Sequence, residues 1–199
     1  KLAAECLDML VPEVKEGVTT KRIDDLARQF VFDNGALRAC VFYRGYRHTV
    51  CTSVNHVVCH GIPGERVLKD GDIVNIDVTV IVDGWHGDTS RMYYVGEPSV
   101  LARRLVETTR EAMFAGISVV RPGATLGDIG EAIQRHAEAQ GFSVVREYCG
   151  HGIGRVYHED PQVLHYGQAR AGPKLKHGMT LTIGPVINAG KPQTRLLPD

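Results

Sequence analysis

Asp72-Ile-Val-Asn-Ile-Asp-Val-Thr-Val-Ile-Val82 carries the clearest strand signal in the sequence. The turn residues Asp83-Gly84 follow it, and a second strand segment then runs from Trp85 to about Val95. Both long segments are rich in the β-branched and aromatic residues that strands favour. Asp-Gly is a preferred two-residue hairpin turn. The stretch therefore predicts two antiparallel strands joined by a tight turn, with Val82 paired to Trp85.

This register places two carboxylates on one face of the hairpin. Counting outward from the turn puts Thr79 opposite Asp88 and Asp77 opposite Ser90, and strand alternation gives these four side chains one common face. Asp77 and Asp88 are then diagonal neighbours, roughly 7–8 Å apart at the backbone. Carboxylates on a buried face are costly unless a metal or a basic side chain neutralises them. The pair predicts a cation site, and the alternative is a wet face on which both are solvated.

Helix and strand patterns surround the hairpin. Four segments carry apolar residues at helical spacing: residues 2–17, 20–34, 99–120 and 125–140. Thr19 or Thr20 is expected to cap the second of these helices, and Thr125 with Asp128 resembles a capping arrangement that opens the fourth. Further strands are expected from Ala39 to Gly61, from Phe142 to Val145 and from Met179 to Asn188. Because helices do not alternate singly with strands, the order predicts an α+β fold with helices covering a largely antiparallel sheet. A helix pair followed by strands occurs twice, which suggests a pseudo-symmetric duplication.

The composition excludes several classes of protein. The 199 residues carry 23 Lys and Arg against 23 Asp and Glu, so the net charge is zero and the pI is near 7.3. A balanced charge gives no bulk attraction to nucleic acid, and no apolar run approaches the roughly 18 residues that span a bilayer. The five cysteines include no C-x-x-C pair. We expect free thiols in a reducing compartment, which places the protein in the cytoplasm.

Three histidines lie in unusual contexts. His151 lies within Cys149-Gly-His-Gly-Ile-Gly154, where glycine lets another group approach closely, and neutral imidazole is a common metal ligand. His158 lies beside two acids, and His60 lies next to a predicted turn. Taken alone, each of the three is better explained as a structural or surface histidine. The same interpretation is given to the remaining six: His48, His56, His86, His136, His165 and His177.

Together, these segments resemble the bacterial type I methionine aminopeptidases. The resemblance covers essentially the whole chain in the family's order, and motifs such as Cys59-His-Gly-Ile-Pro63 make it specific. The matching stretches are residues 55–63, 71–80, 86–91, 141–155 and 158–166.

The resemblance implies a fold and an activity. The fold is the α+β pita-bread fold of creatinases and aminopeptidases, with pseudo-twofold symmetry, and residues 1–199 are expected to form a single methionine-aminopeptidase-like domain. The implied activity is a metal-dependent hydrolase that removes the initiator Met from nascent polypeptides with a small second residue. We expect a monomer with the ribosome as a further partner and no membrane partner. The implied cofactor is a divalent metal (Co, Mn, Fe or Zn), with two ions in the intact family site.

The resemblance also assigns roles residue by residue. Asp77, Asp88 and His151 match the metal ligands of the family. His60 and His158 match the catalytic histidines that contact the substrate and stabilise the reacting carbonyl. The residues that match the lining of the pocket for the Met side chain are Cys40, Tyr43, Tyr46, Cys51 and Tyr157.

Two departures from the family pattern reduce the expected metal site. Gly184 stands where the family has a Glu ligand, and a second, bridging Glu is expected beyond the end of this chain, so the domain is expected to be incomplete at its C-terminus. The three matching ligands carry a formal charge of −2, which balances one divalent ion. We therefore expect at most one weakly bound metal and little peptidase activity. Restoring Gly184→Glu alone is not expected to recover activity.

Two other functions fit parts of the pattern. A catalytically dead pseudoenzyme that binds peptides or the ribosome is favoured by Gly184 but disfavoured by the retained metal and histidine motifs. A prolidase-like exopeptidase of the same fold fits the metal residues, but it fits the sequence around His60 and His158 less well.

Overall fold

The computed structural model describes residues 1–41 and 43–197, and the chain divides into two compact units. Unit 1 contains Lys1–Ser99 and Gly154–Tyr157, and unit 2 contains Val100–Ile153 and the described residues from His158 onward. The helices are α1 (Leu2–Leu10), α2 (Thr20–Asp33), α3 (Val100–Ser118) and α4 (Leu126–Ala139). The strands are β1 (Leu37–Arg38), β2 (Val50–Val54), β3 (Ile73–Val82), β4 (Trp85–Tyr94), β5 (Ser143–Val144), β6 (Gly150–Gly152), β7 (Glu159–Val163) and β8 (Ile187–Asn188). All of their pairings are antiparallel.

The sheet of unit 1 is built around β3. Strand β4 pairs with β3 along its whole length, so β1 and β2 share the other edge, β1 opposite residues 80–81 and β2 opposite residues 74–78. The predicted hairpin register is confirmed, because Val82 pairs with Trp85 and Thr79 pairs with Asp88. Asp83 and Gly84 both have positive φ, 52° and 77°, as a tight hairpin turn of two residues requires.

One face of this sheet packs against the two helices of unit 1. Val74, Ile76, Val78 and Val80 alternate along β3 and are buried in a core that includes residues of α1 and α2. The Tyr93 hydroxyl donates to the Leu7 carbonyl at 2.7 Å and ties β4 to α1. Because strand side chains alternate, Asp77 and Thr79 belong to the opposite face.

Unit 2 has its own helix pair and its own core. Helix α4 begins with the predicted capping box, in which the Thr125 side chain accepts from the Asp128 N–H and the Asp128 carboxylate accepts from the Thr125 N–H. Ile129, Ile133 and Ala112 are fully buried in this core. Two short strand pairs, β5 with β8 and β6 with β7, complete the unit within its described residues.

Three predicted boundaries were wrong. Helix α1 ends at Leu10 rather than near Gly17, since Pro12 lacks the N–H that would continue it. Among the described residues of the segment 39–61, only Val50–Val54 form a strand of the sheet, and a 3₁₀ turn covers Tyr43–Gly45. Of residues 179–188, only Ile187–Asn188 form a regular strand. There Pro185 lacks a donor, and the Thr180 and Thr182 hydroxyls bond to backbone groups in place of a full ladder.

The predicted helix pairs are confirmed in both units, as are the Thr19 cap of α2 and the Thr125 cap of α4. None of the helices in residues 1–41 and 43–197 combines the length and the apolarity that crossing a bilayer requires.

Candidate active site

Asp77 and Asp88 occupy the sheet face of unit 1 that points away from α1 and α2. Asp77 lies between Cys51 of β2 and Ser90 of β4, its cross-strand neighbours. Asp88 faces Thr79, whose hydroxyl donates to Asp88 Oδ1 at 2.9 Å. Both carboxylates are partly buried. Their surroundings therefore lie between the fully solvated face and the dry interior that the sequence left as alternatives. The arrangement presents two anionic oxygen groups on one surface, as the register predicts.

Cys40, Tyr43 and Tyr157 come together in unit 1. The Cys40 thiol and the Tyr157 hydroxyl are 3.3 Å apart, and the ring centroids of Tyr43 and Tyr157 are 5.0 Å apart. Burial raises the pKa of the Cys40 thiol to about 11, and the nearby Asp77 and Asp88 add to this rise. The thiol is therefore neutral at pH 7. These three side chains form a compact surface that is mostly apolar.

Tyr46 and Cys51 form a second contact in the same unit. Burial raises the pKa of the Tyr46 hydroxyl and the pKa of the Cys51 thiol far above their usual ranges. The two side chains are also hydrogen-bonded to each other. The Tyr46 hydroxyl also donates to the Val50 carbonyl at 2.8 Å. All five predicted pocket residues thus belong to unit 1, and all remain protonated at neutral pH where a shift is resolved.

His60 is held by a close approach of two backbone segments. Its φ is 55°, and the next residue, Gly61, accepts a hydrogen bond from the Thr52 N–H at 2.7 Å. A Cβ on Gly61 would lie 2.2 Å from the Thr52 carbonyl oxygen, so only glycine fits there. Loss of surrounding water lowers the pKa of His60, and the Asp88 charge opposes this effect. The residue His60 as a whole is exposed to solvent. Its lowered pKa keeps the imidazole neutral at pH 7.

The sequence interpretation missed His86 and Arg155. His86 was assigned as a surface or core histidine, but its ring stacks on Tyr157 with centroids 5.5 Å apart and its Nδ1 lies 3.1 Å from the Gly154 carbonyl. Arg155 packs over the Trp85 ring and donates to the Asp83 carbonyl at 3.2 Å. The contacts of His86 and Arg155 hold the segment 154–157, which carries Tyr157, against β4 and the hairpin turn. No local pattern signals them, because they join residues about 70 positions apart.

His151 lies in unit 2 with a defined orientation. Its Nδ1 is 2.9 Å from the Gly152 carbonyl, and because a carbonyl can only accept, Nδ1 carries the proton. Nε2 then carries the lone pair that a metal requires. Its backbone N–H donates to Thr182 Oγ1 at 3.0 Å. A Cβ on Gly150 or Gly152 would lie about 2 Å from a backbone oxygen, which explains the glycines on either side.

His158 also lies in unit 2 and packs against His151, with ring centroids 4.2 Å apart. Gly184 lies in the same unit, and its N–H donates to Nε2 of His165 at 3.3 Å. A Cβ on Gly184 would meet no atom within 4 Å. Burial lowers the pKa of His165 to about 4, so this histidine is a neutral core residue, as the sequence interpretation has it.

The donor chemistry fits a divalent cation only in part. Carboxylate oxygens and a neutral imidazole nitrogen suit divalent transition metals. Within neither unit, however, do the described residues bring three His, Cys, Asp or Glu side chains together as a metal-binding group. Unit 1 contributes the two carboxylates Asp77 and Asp88. The strand register of this unit places both on one face, and this supports the carboxylate part of the predicted ligand set.

The comparison with family models matches residues 1–195 to metallopeptidase family M24. The chain belongs to that family. It is 56% identical to a methionine aminopeptidase of Rickettsia prowazekii over 98% of this chain and 76% of that protein. It is 53% identical to a methionine aminopeptidase of Escherichia coli over 100% of this chain and 76% of that protein.

Solved structures agree with this membership and confirm the α+β pita-bread fold. The crystal structure of the R. prowazekii methionine aminopeptidase matches with a TM-score of 0.98 and 56% identity, over all of this chain and 80% of that one. The Thermotoga maritima methionine aminopeptidase matches with a TM-score of 0.97 and 37% identity over the same shares. A prolidase of Pyrococcus horikoshii, at 21% identity and a TM-score of 0.78, shares the fold alone.

Proposed function

We propose that this chain is a methionine aminopeptidase, a metal-dependent hydrolase that removes the N-terminal Met from new polypeptides with a small second residue. The observation that carries the proposal is identity of 53–56% along nearly the full chain to relatives called methionine aminopeptidase. The site geometry within each unit is compatible with this reaction. The prolidase alternative has support from fold similarity only.

Asp77, Asp88 and His151 are the proposed metal ligands, carried over from the family resemblance. A divalent ion, when bound, supplies Lewis acidity to the scissile carbonyl and an activated water. The shared face of Asp77 and Asp88 and the Nδ1–H tautomer of His151 support these roles. We expect at most one such ion, because Gly184 offers no carboxylate.

The remaining site residues are proposed to bind the substrate through uncharged side chains. Cys40, Tyr43 and Tyr157 present a neutral thiol and aromatic rings, which suit an unbranched thioether side chain. Tyr46 and Cys51 would line the same pocket. His60 is neutral at pH 7 and can therefore either donate or accept at the substrate amide. His158 is proposed to share this role.

The proposed setting is the cytoplasm, with a monomer acting on the N-termini of nascent chains at or near the ribosome. All five cysteines are free thiols, as a reducing compartment maintains them.

The test combines metal titration with peptide hydrolysis on the purified chain. Calorimetry with Co²⁺, Mn²⁺, Fe²⁺ and Zn²⁺ is expected to give no more than one ion per chain, with a Kd weakened by the absent carboxylate. A Met-Ala peptide should be cleaved slowly and only with metal, while an X-Pro dipeptide should not be cleaved.

The matched variant is Asp77→Asn combined with Asp88→Asn, which keeps the size of both side chains and removes their charge. It should lose metal binding and activity together. Metal binding without any Met-Ala cleavage would favour the peptide-binding pseudoenzyme, and faster cleavage of the X-Pro peptide would favour the prolidase.

A further inference from the structure

Four side chains of unit 1 form one continuous hydrogen-bond chain. The Cys40 thiol lies 3.3 Å from the Tyr157 hydroxyl, and that hydroxyl lies 2.9 Å from Thr79 Oγ1. The Thr79 hydroxyl in turn lies 2.9 Å from Asp88 Oδ1. The chain therefore runs from the predicted Met side-chain pocket to a proposed metal-ligating carboxylate.

The direction of each of these hydrogen bonds follows from the Asp88 acceptor at one end of the hydrogen-bond chain. The Thr79 hydroxyl donates its only proton to Asp88 Oδ1. Thr79 Oγ1 can then only accept from Tyr157, and the Tyr157 proton is committed there. Cys40 is left to donate its thiol proton to the Tyr157 oxygen. The acceptor oxygen of Asp88 thus orients all three hydrogen bonds, and aligned bonds of this kind strengthen one another.

Burial and packing hold the side chains of this hydrogen-bond chain in place. Thr79 is only 1% exposed and Cys40 is 7% exposed. The Tyr157 ring is packed between His86, at a 16° interplanar angle, and Tyr43. Breaking a hydrogen bond of Thr79 or Cys40 would leave a buried polar group with poor access to water, which costs more than the bond itself contributes.

We propose that Thr79 and Tyr157 are positioning residues that orient the Asp88 carboxylate and couple it to the Met side-chain pocket. The Thr79 hydroxyl holds Oδ1 and so decides where Oδ2 points, and the Tyr157 hydroxyl holds Thr79. A substrate side chain that displaces the Tyr157 hydroxyl changes the hydrogen bonding of Asp88. This inference rests on the proposed function in one respect, the role of Asp88 as a metal ligand.

The first experiment measures Co²⁺ or Mn²⁺ affinity by calorimetry, with the metal alone as the probe. Thr79→Val keeps the shape of the side chain but removes the hydroxyl, and it should weaken binding by about 10- to 100-fold, as losses of groups that orient a ligand do. Thr79→Ser restores a hydroxyl and should bind within about threefold of the wild type, since the donor to Asp88 is retained. Tyr157→Phe removes one oxygen and should weaken binding by a smaller factor, about two- to fivefold.

The double variant Thr79→Val/Tyr157→Phe distinguishes a coupled chain from independent effects. Without the Thr79 hydroxyl, the hydrogen-bond link from Tyr157 through Thr79 to Asp88 is broken, so the double variant should bind metal no more weakly than Thr79→Val alone. Thr52→Val is the matched control, because Thr52 is a buried threonine of the same sheet whose Oγ1 has no hydrogen-bond partner among the described residues. It should leave metal affinity within about twofold.

The second experiment needs no metal and compares urea unfolding of the same proteins. Tyr157→Phe should raise the unfolding equilibrium constant several-fold in the wild-type background and have no such effect in the Thr79→Val background. Equal effects in both backgrounds, or wild-type metal affinity in Thr79→Val, would overturn the coupling. A wild type that binds no divalent metal would overturn the proposed function, and the unfolding comparison would then decide the coupling by itself.

Discussion

Gly61 shows how one residue fixes a catalytic candidate. The backbone at Gly61 lies directly against β2, where its carbonyl accepts from the Thr52 N–H at 2.7 Å. A Cβ there would lie 2.2 Å from the Thr52 carbonyl oxygen and 2.8 Å from its carbon. Both are backbone atoms of β2, which is held in register by its pairing with β3, so they cannot move aside cheaply. The position of His60 depends on this contact because His60 is the preceding residue.

Gly61→Ala is therefore expected to be destabilising and to weaken hydrolysis. We expect the free energy of unfolding to fall by about 1–3 kcal/mol, the usual cost of overpacking a buried position. Urea denaturation measures the stability, and Met-Ala cleavage measures the displacement of His60. Gly64→Ala is the control, since a Cβ on Gly64 meets no atom within 4 Å and should change stability by less than about 0.5 kcal/mol. Equal stability of the two variants would contradict this account.

At the scale of elements, Asp24 joins α2 to the start of β2. Its Oδ1 accepts from the backbone N–H of Thr49 at 2.7 Å and of Val50 at 3.0 Å, and its Oδ2 lies 3.4 Å from His48 Nδ1. Asp24 is 8% exposed and Thr49 is fully buried. The carboxylate thus accepts from two buried N–H groups that have no acceptor among the described residues of the sheet. It also fixes the position at which β2 begins relative to α2.

Asp24→Ala should lower the free energy of unfolding by about 2–4 kcal/mol, because it leaves two buried N–H groups without an acceptor at about 1–3 kcal/mol each. Asp24→Asn keeps an oxygen at the same place and should cost about 1 kcal/mol or less. Urea denaturation with an unchanged m-value is the measurement. A similar loss in both variants would show that charge, and not the two hydrogen bonds, stabilises this junction.

For the whole molecule, the proposed metal links binding to stability. An ion that binds only the folded chain stabilises it by about 2.7 kcal/mol when free metal is 100 times its Kd. For a chain of this length, that corresponds to a rise in Tm of about 5–10 °C. Calorimetric melting with and without Co²⁺ measures the effect, and a chelator should reverse it.

The Asp77→Asn/Asp88→Asn variant is the control for this prediction. Its melting temperature without metal should be close to that of the wild type or higher, because two neighbouring negative charges are removed. Addition of metal should not shift its Tm. An equal shift in the variant and the wild type would assign the stabilisation to a different site on the chain.

Local features of the sequence predicted much of the framework that carries the site. The Asp83-Gly84 turn and strand alternation place Asp77, Thr79 and Asp88 on one face, and the structure confirms that register. Thr125 and Asp128 likewise predict the start of α4. The strand predicted over residues 179–188 was wrong, because threonine hydroxyls there compete with the ladder for backbone groups. The interpretation of residues 1–199 as a single domain, and the assigned site roles, remain predictions.

The sequence by itself determined the hairpin, its register and the family, because turn chemistry, side-chain alternation and motifs act between near neighbours in the chain. Only the tertiary structure decided which distant groups meet. Cys40 and Tyr157 are 117 positions apart, and Tyr157 and Thr79 are 78 apart, yet each pair is in hydrogen-bond contact. Such contacts depend on how whole elements pack within a unit, which no local pattern encodes.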